Sequence, residues 1–201
     1  MTREMTDYAS FDKDQFDDDV KAAADVIRRG GVILYPTDTV WGLGCDATNP
    51  KAVARLYEIK KRSDSKSMLA LLGSIDDLYR WLKNVPETAL QLIEVAVDPL
   101  TIIYDSPLGI AENLTAPDGS LGIRISSERF CRSLCRKTRL PIVSTSANIS
   151  GEKTPAVFSE ISDEIKNAVD FIPFYRRDDN RHRRPSGIIK VRDDETLTII
   201  R

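Results

Sequence analysis

Three groups of residues have the types and spacing to do chemistry. YPTDTVWGLGCDA at residues 35–47 and STSANISG at 144–151 each follow a short apolar run, VILY at 32–35 and LPIV at 140–143. Both fill the exit of that run with Gly, Ser, Thr, Asn and Asp, the residues of turns and loops. Loops of that composition offer backbone N–H groups, hydroxyls and an amide at a strand's carboxyl end, where open α/β sheets bind polar ligands. The third group is cationic: Lys60, Lys61 and Arg62 close a helical stretch and enter the loop SDSK. Arg supplies a planar fork and Lys a point charge, so the three form a candidate phosphate clamp. A plainer reading stands beside it, in which these cations complement a helix dipole and Ser144, Thr145, Ser146 and Asn148 only satisfy a turn. Together the loops read as an enzyme with an anionic substrate.

Templates that fail to match narrow the chemistry. The single histidine, His182, sits in the run RRDDNRHRR, so a Ser-His-Asp triad or a His-built metal site would rest on it alone. There is no GxxxxGK[ST] phosphate loop and no GxSxG elbow. GLGCDA at 42–47 matches GxGxxA in form, but Pro36 to Trp41 separate it from its strand. The acid due about 20 residues further on would be Glu58 or Asp64, and Glu58 falls inside a helix and not at a second strand's end, which argues against a nicotinamide dehydrogenase. Cys45, Cys131 and Cys135 cannot all pair and show no CxxC spacing, in keeping with a reducing cytosol and no disulfide framework. No apolar stretch approaches the ~20 residues of a membrane span, and the first thirty residues lack the apolar core of a signal peptide. The expectation is a soluble, unexported, cytoplasmic protein with no membrane association.

These residues need elements to hold them. The 201-residue chain is 41% hydrophobic, enough to bury the core of one domain. Residues 1–20 carry seven carboxylates against Arg3 and Lys13, which marks 1–17 as an acidic N-terminal extension and 18–201 as a mildly basic body. Basic residues gather at 51–66, 129–139 and 176–184, either as solvated faces or as a phosphate or nucleic-acid surface. Helix and strand alternate. Helices are predicted over 17–29, 50–60, 74–82 and 86–97, from Ser126 or Ser127 to about 138, and around 159–168. Strands are predicted at 32–35, 68–72, 100–104, 121–125 and 140–143, and over the late runs FIPFY, GIIKV and LTII. More strands than helices, several adjacent in sequence, predict a single-domain α/β fold with a mixed sheet and helices packed on it.

Taken together, YPTDTVWGLGCDA, K-x-R at Lys60 and Arg62, STSANISG and PSGII at 185–189 resemble the YrdC-like family, the threonylcarbamoyl-AMP synthases, in order and approximate spacing over residues 18–192. The resemblance implies a twisted α/β sheet around a deep basic cavity, in the short single-domain bacterial form. It implies an enzyme, a nucleotidyltransferase, that joins L-threonine, bicarbonate and ATP into threonylcarbamoyl-adenylate with release of pyrophosphate. The product serves N6-threonylcarbamoylation of adenosine 37 in tRNA by downstream transferase proteins. By the same resemblance, Lys60 and Arg62 are catalytic and hold the nucleotide phosphates, with Lys66, Ser144, Ser146 and Asn148 beside the nucleotide. Thr37, Arg124 and Ser186 hold threonine, and Mg2+ enters held mainly by the ATP phosphates. The chain departs from the family pattern at Ser63 and Ser67, where Pro is common, at Asp98 for Gly, and at Gly187 for Thr. The alternative is a YciO-like paralogue that binds double-stranded RNA or acts in translation without this synthase activity, with the basic clusters contacting phosphates.

Overall fold

The computed structural model describes residues 13–62 and 68–201; the acidic segment 1–12 and Ser63, Lys66 and Ser67 lie outside the described residues. Helix α1 (Lys13–Arg28) begins before the expected Asp17, because Phe16 joins Val20, Ala23, Ala24 and Ile27 on one buried face. It ends at Gly30, whose φ of +77° costs a glycine nothing. Strand β1 (Ile33–Tyr35) follows, and then β2 (Gly42–Gly44) and α2 (Pro50–Ile59). Asn49 caps α2 by accepting from the amides of Lys51 and Ala52. Next come β3 (Leu69–Leu72), α3 (Leu78–Trp81), α4 (Glu87–Val95), β4 (Leu100–Tyr104), β5 (Leu121–Ile125) and α5 (Arg129–Thr138). The chain continues through β6 (Ile142–Ser146), α6 (Asp163–Ala168), β7 (Gly187–Val191) and β8 (Leu197–Ile199).

Among the described residues eight strands form one mixed sheet in the order β1-β2-β6-β3-β5-β4-β7-β8. Only β3 with β5 and β4 with β7 run parallel. The α/β, single-domain, mixed-sheet expectation holds. One face, with Ile33, Tyr35, Leu71 and Ile142, packs on α1 and on Phe130, Cys131 and Leu134 of α5. The other, with Leu34, Leu43, Ala70, Ile123 and Val143, packs on Val53, Leu56 and Tyr57 of α2 and on Leu78 of α3.

Five local expectations change. The strand expected at 140–143 runs over 142–146, so Ser144, Thr145 and Ser146 are strand and not loop. Their backbone groups pair with β3 on one side and β2 on the other, and a filled ladder outweighs the turn preference of Ser. Gly42–Gly44, also expected as loop, is the strand between β1 and β6. A Cβ on Gly44 would come 2.5 Å from the Val143 carbonyl, so only glycine fits there. FIPFY is reduced to a bridge between Phe171 and Ile33, since Pro173 has no N–H to extend a ladder. Helix α5 is capped by neither Ser126 nor Ser127; Glu128 Oε2 accepts from the Cys131 amide at 3.0 Å. The helix expected around 159–168 is confined to 163–168, with Ser162 as its cap.

Candidate functional site

Strand register assembles the site. Gly42 pairs with Ser146, Leu69 with Ser144, and Leu71 with Arg124. Paired and alternate residues share a face, so Gly42, Ser144, Ser146, Leu69 and Arg124 extend the face that α1 and α5 cover. There they line an open cleft together with Thr37, Thr39, Val40 and Thr145. Among the described residues its polar lining is hydroxyl and guanidinium, with no carboxylate, and therefore suits an acceptor-rich, anionic ligand.

Arg124, 3% exposed, is the buried charge of this cleft. Its Nη2 donates to Thr39 Oγ1 at 3.3 Å and lies 3.1 Å from Asp38 Oδ1. Asp38 Oδ2 accepts from the Ser127 amide at 3.4 Å. The Arg124–Asp38 approach is a charge contact without hydrogen-bond alignment: Asp38 Oδ1 and Arg124 Nε have no hydrogen-bond partner among the described residues. A desolvated guanidinium with one counter-charge and an unsatisfied donor is suited to a further acceptor.

Loop 36–40 is shaped by its own hydroxyls and by four outside attachments. Thr37 Oγ1 donates to the Val40 carbonyl at 2.6 Å and accepts from the Thr39 amide at 3.1 Å. Thr37 thus closes the turn, and the same residue lines the cleft. From outside, Cys131 Sγ donates to the Pro36 carbonyl, Arg176 Nη1 to the Thr37 carbonyl at 2.9 Å, Ser127 to Asp38, and Arg124 to Thr39.

Lys60 is no surface cation at a helix end. It is 2% exposed, and its Nζ donates to the carbonyls of Ser146 and Asn148 at 2.5 and 2.7 Å. The Lys60 carbonyl accepts from the Ser150 amide at 2.9 Å, so this residue ties α2 to the exit of β6 from both ends. Burial, with Arg62 nearby, brings its ammonium pKa down to about 8. Arg62 reaches the rim, Nη1 to Thr145 Oγ1 at 3.5 Å.

Of the residues singled out from sequence, Thr37, Arg124, Ser144 and Ser146 line the cleft, and Lys60, Arg62 and Asn148 border it. The Asn148 side-chain amide donates to the carbonyls of Ile149 and Glu152, which folds the turn after β6. Ser186 is not among the cleft-lining residues; its hydroxyl lies 2.9 Å from that of Thr101, and its carbonyl accepts from Arg201. Lys66 lies outside the described residues. Sequence reasoning gave no site role to Thr39 and Asp38, although both stand in the PTDT run. Leu69 carries no sequence signal at all and reaches the cleft through register. The arginine run is not an open positive surface: Arg176, Arg181 and Arg183 converge on Asp179 at 3.0, 2.7 and 3.3 Å. These partners, Arg181 foremost, hold the Asp179 carboxyl well below the usual range.

The Sua5/YciO/YrdC family, described as Telomere recombination, matches residues 25–201. The chain belongs to that family. A threonylcarbamoyl-AMP synthase of Xanthomonas campestris pv. campestris is 38% identical over 137 residues, covering 67% of this chain and 73% of the relative. Among solved structures, P. abyssi Sua5 complexed with L-threonine superposes with a TM-score of 0.76 at 26% identity, over 85% of this chain. The chain spans half the length of that Sua5. E. coli YciO superposes with a TM-score of 0.77 at 25% identity, over 90% of this chain and 87% of its own. No helix among the described residues is long and apolar enough to cross a membrane.

Proposed function

We propose that this Sua5/YciO/YrdC chain is an L-threonylcarbamoyladenylate synthase, joining L-threonine, bicarbonate and ATP with release of pyrophosphate, in the cytoplasm. The observation that carries the reading is the convergence of two separate motifs and a strand arginine on one cleft: Thr37 and Thr39, Ser144 to Ser146, and Arg124. The 38% identity to relatives named threonylcarbamoyl-AMP synthase supports this over a YciO-like role without that activity.

A guanidinium set among hydroxyls suits the carboxylate and polar groups of an amino acid. Arg124 receives the threonine carboxylate, and the hydroxyls of loop 36–40 and β6 receive the rest. The nucleotide extends over the exit of β6, where Arg62 meets its phosphates and Lys60 holds the strand end in place. The threonine amine adds to carbon dioxide drawn from bicarbonate and loses a proton. The carbamate oxygen then attacks the α-phosphorus, the bond to the bridging oxygen breaks, and pyrophosphate leaves. Such a displacement asks for positioning and charge neutralisation, and the short-lived carbamate asks for exclusion of water. Magnesium would arrive on the ATP phosphates, supplying charge neutralisation, because a lining of hydroxyls and guanidinium does not bind a bare divalent cation. The product then passes to the proteins that modify adenosine 37 of tRNA.

Omitting each substrate in turn while following pyrophosphate, with mass spectrometry of the product, tests the reading. The adenylate should form only when all three substrates are present. ATP turnover indifferent to threonine would sink it.

A further inference from the structure

Loop 36–40 carries two of the cleft's hydroxyls, and the attachment from farthest along the chain is that of Arg176. Arg176 is 9% exposed at its side chain and donates from Nη1 to the Thr37 carbonyl at 2.9 Å. Two carboxylates hold that guanidinium. Asp179 Oδ2 lies 3.0 Å from Nε, and Glu128 Oε1 lies 3.6 Å from Nη1 while the other Glu128 oxygen caps α5. Asp179 is itself gripped by Arg181 and Arg183. Arg176 also has a left-handed backbone, φ 64°, a conformation that non-glycine residues keep only where their surroundings over-determine it.

We propose that Arg176 is a positioning residue for the cleft: clasped by Asp179 and Glu128, it fixes the peptide of Thr37 and thereby sets where the Thr37 and Thr39 hydroxyls stand. The clasp explains why an arginine is needed. A guanidinium presents several N–H donors in fixed directions and can serve a carbonyl and two carboxylates at once, whereas an ammonium on a flexible stem cannot hold all three in one plane. Arg176 and the carboxylates that clasp it therefore belong to the site's support. This inference rests on the threonine-binding reading given above.

The test uses the full chain with Arg176→Ala, Arg176→Lys and Asp179→Asn, and Arg184→Ala as a control. Pyrophosphate release is measured with threonine varied and then with ATP varied, and amide hydrogen exchange is followed in parallel. Displacing a substrate-facing loop should raise the threonine KM about tenfold or more in Arg176→Ala while the ATP KM moves little, with Arg176→Lys between it and the parent. Exchange at 37–40 should quicken while that of β3 and β5 does not. Unchanged threonine KM with unchanged exchange overturns the proposal, as does a uniform rise in exchange through α1 and α5, which would mark Arg176 as general scaffolding. Should Arg176→Ala fail to fold, Arg176→Lys and Asp179→Asn carry the same two readouts. If the parent protein ignores threonine, the synthase reading falls, and the exchange measurement alone decides whether Arg176 braces the loop.

Discussion

The cleft and the 176–184 loop use the same kinds of side chain to opposite ends. In the cleft, Arg124 faces a single carboxylate, keeps an unsatisfied Nε–H among the described residues, and stands among hydroxyls. In the loop, three guanidinium groups share Asp179 and one of them also meets Glu128. Charge that is desolvated and incompletely matched is available to a ligand, whereas charge closed on its own counter-ions is structural. The count of basic residues in a stretch therefore says little; the disposition of nearby carboxylates decides.

Removing Arg124 should produce the largest effect. Arg124→Ala leaves Asp38 buried without its cation, which typically costs about 3–5 kcal/mol, and threonine-dependent turnover should be lost with it. Denaturant unfolding measures the first and pyrophosphate release the second. Adding Asp38→Asn should restore much of the stability and none of the turnover. If the single variant unfolds like the parent, Arg124 and Asp38 are not the coupled pair described here.

Lys60 stands between the two regions, a buried cation held by carbonyls and not by carboxylates. Lys60→Met should cost about 1–3 kcal/mol by stranding two carbonyl groups, more than a surface cation at a helix end would. Its pKa adds a pH signature. The folded value is about 8 against an ordinary 10.5, so between these the unfolded chain retains a proton that the folded protein has released. Stability of the parent relative to Lys60→Arg should thus rise across that window, by up to ~3 kcal/mol. A flat difference from neutral to alkaline pH would show that Lys60 is not desolvated.

The smallest effects belong to the outer arginines. Arg184→Ala should change stability by no more than about 0.5 kcal/mol and leave adenylate formation untouched, while Arg181→Ala, which loosens Asp179, should show a weaker form of the Arg176→Ala effect. Double-stranded RNA, if bound at all, should show a shallow salt dependence, since each backbone phosphate neutralised adds roughly −0.7 to −0.9 to the log–log slope. A slope steeper than about −3 that collapses in these variants would reopen the nucleic-acid surface and break the contrast.

Much of this was legible before any coordinates. The 3.6-residue spacing of Val20, Ala23, Ala24 and Ile27, the Asn49–Pro50 helix start and the apolar runs at 68–72, 100–104 and 121–125 report local periodicity and capping, which sequence carries directly. The two polar motifs at 35–47 and 144–151 were visible for the same reason, since Gly, Ser, Thr and Asp in short runs announce a non-helical backbone with polar groups to offer. What sequence could not carry was pairing. Ser144 to Ser146 became strand only because β2 and β3 supply ladder partners, and Leu69 entered the cleft only because it sits opposite Ser144. Lys60 changed from surface cation to internal strut because the carbonyls of Ser146 and Asn148, some ninety residues away, close over it. Arg176 changed from one basic residue among several to a contact of Thr37 through the same kind of long-range approach. Composition and periodicity determined the elements and the motifs, which depend on neighbours along the chain; register and burial, which depend on neighbours in space, decided which charges face a ligand.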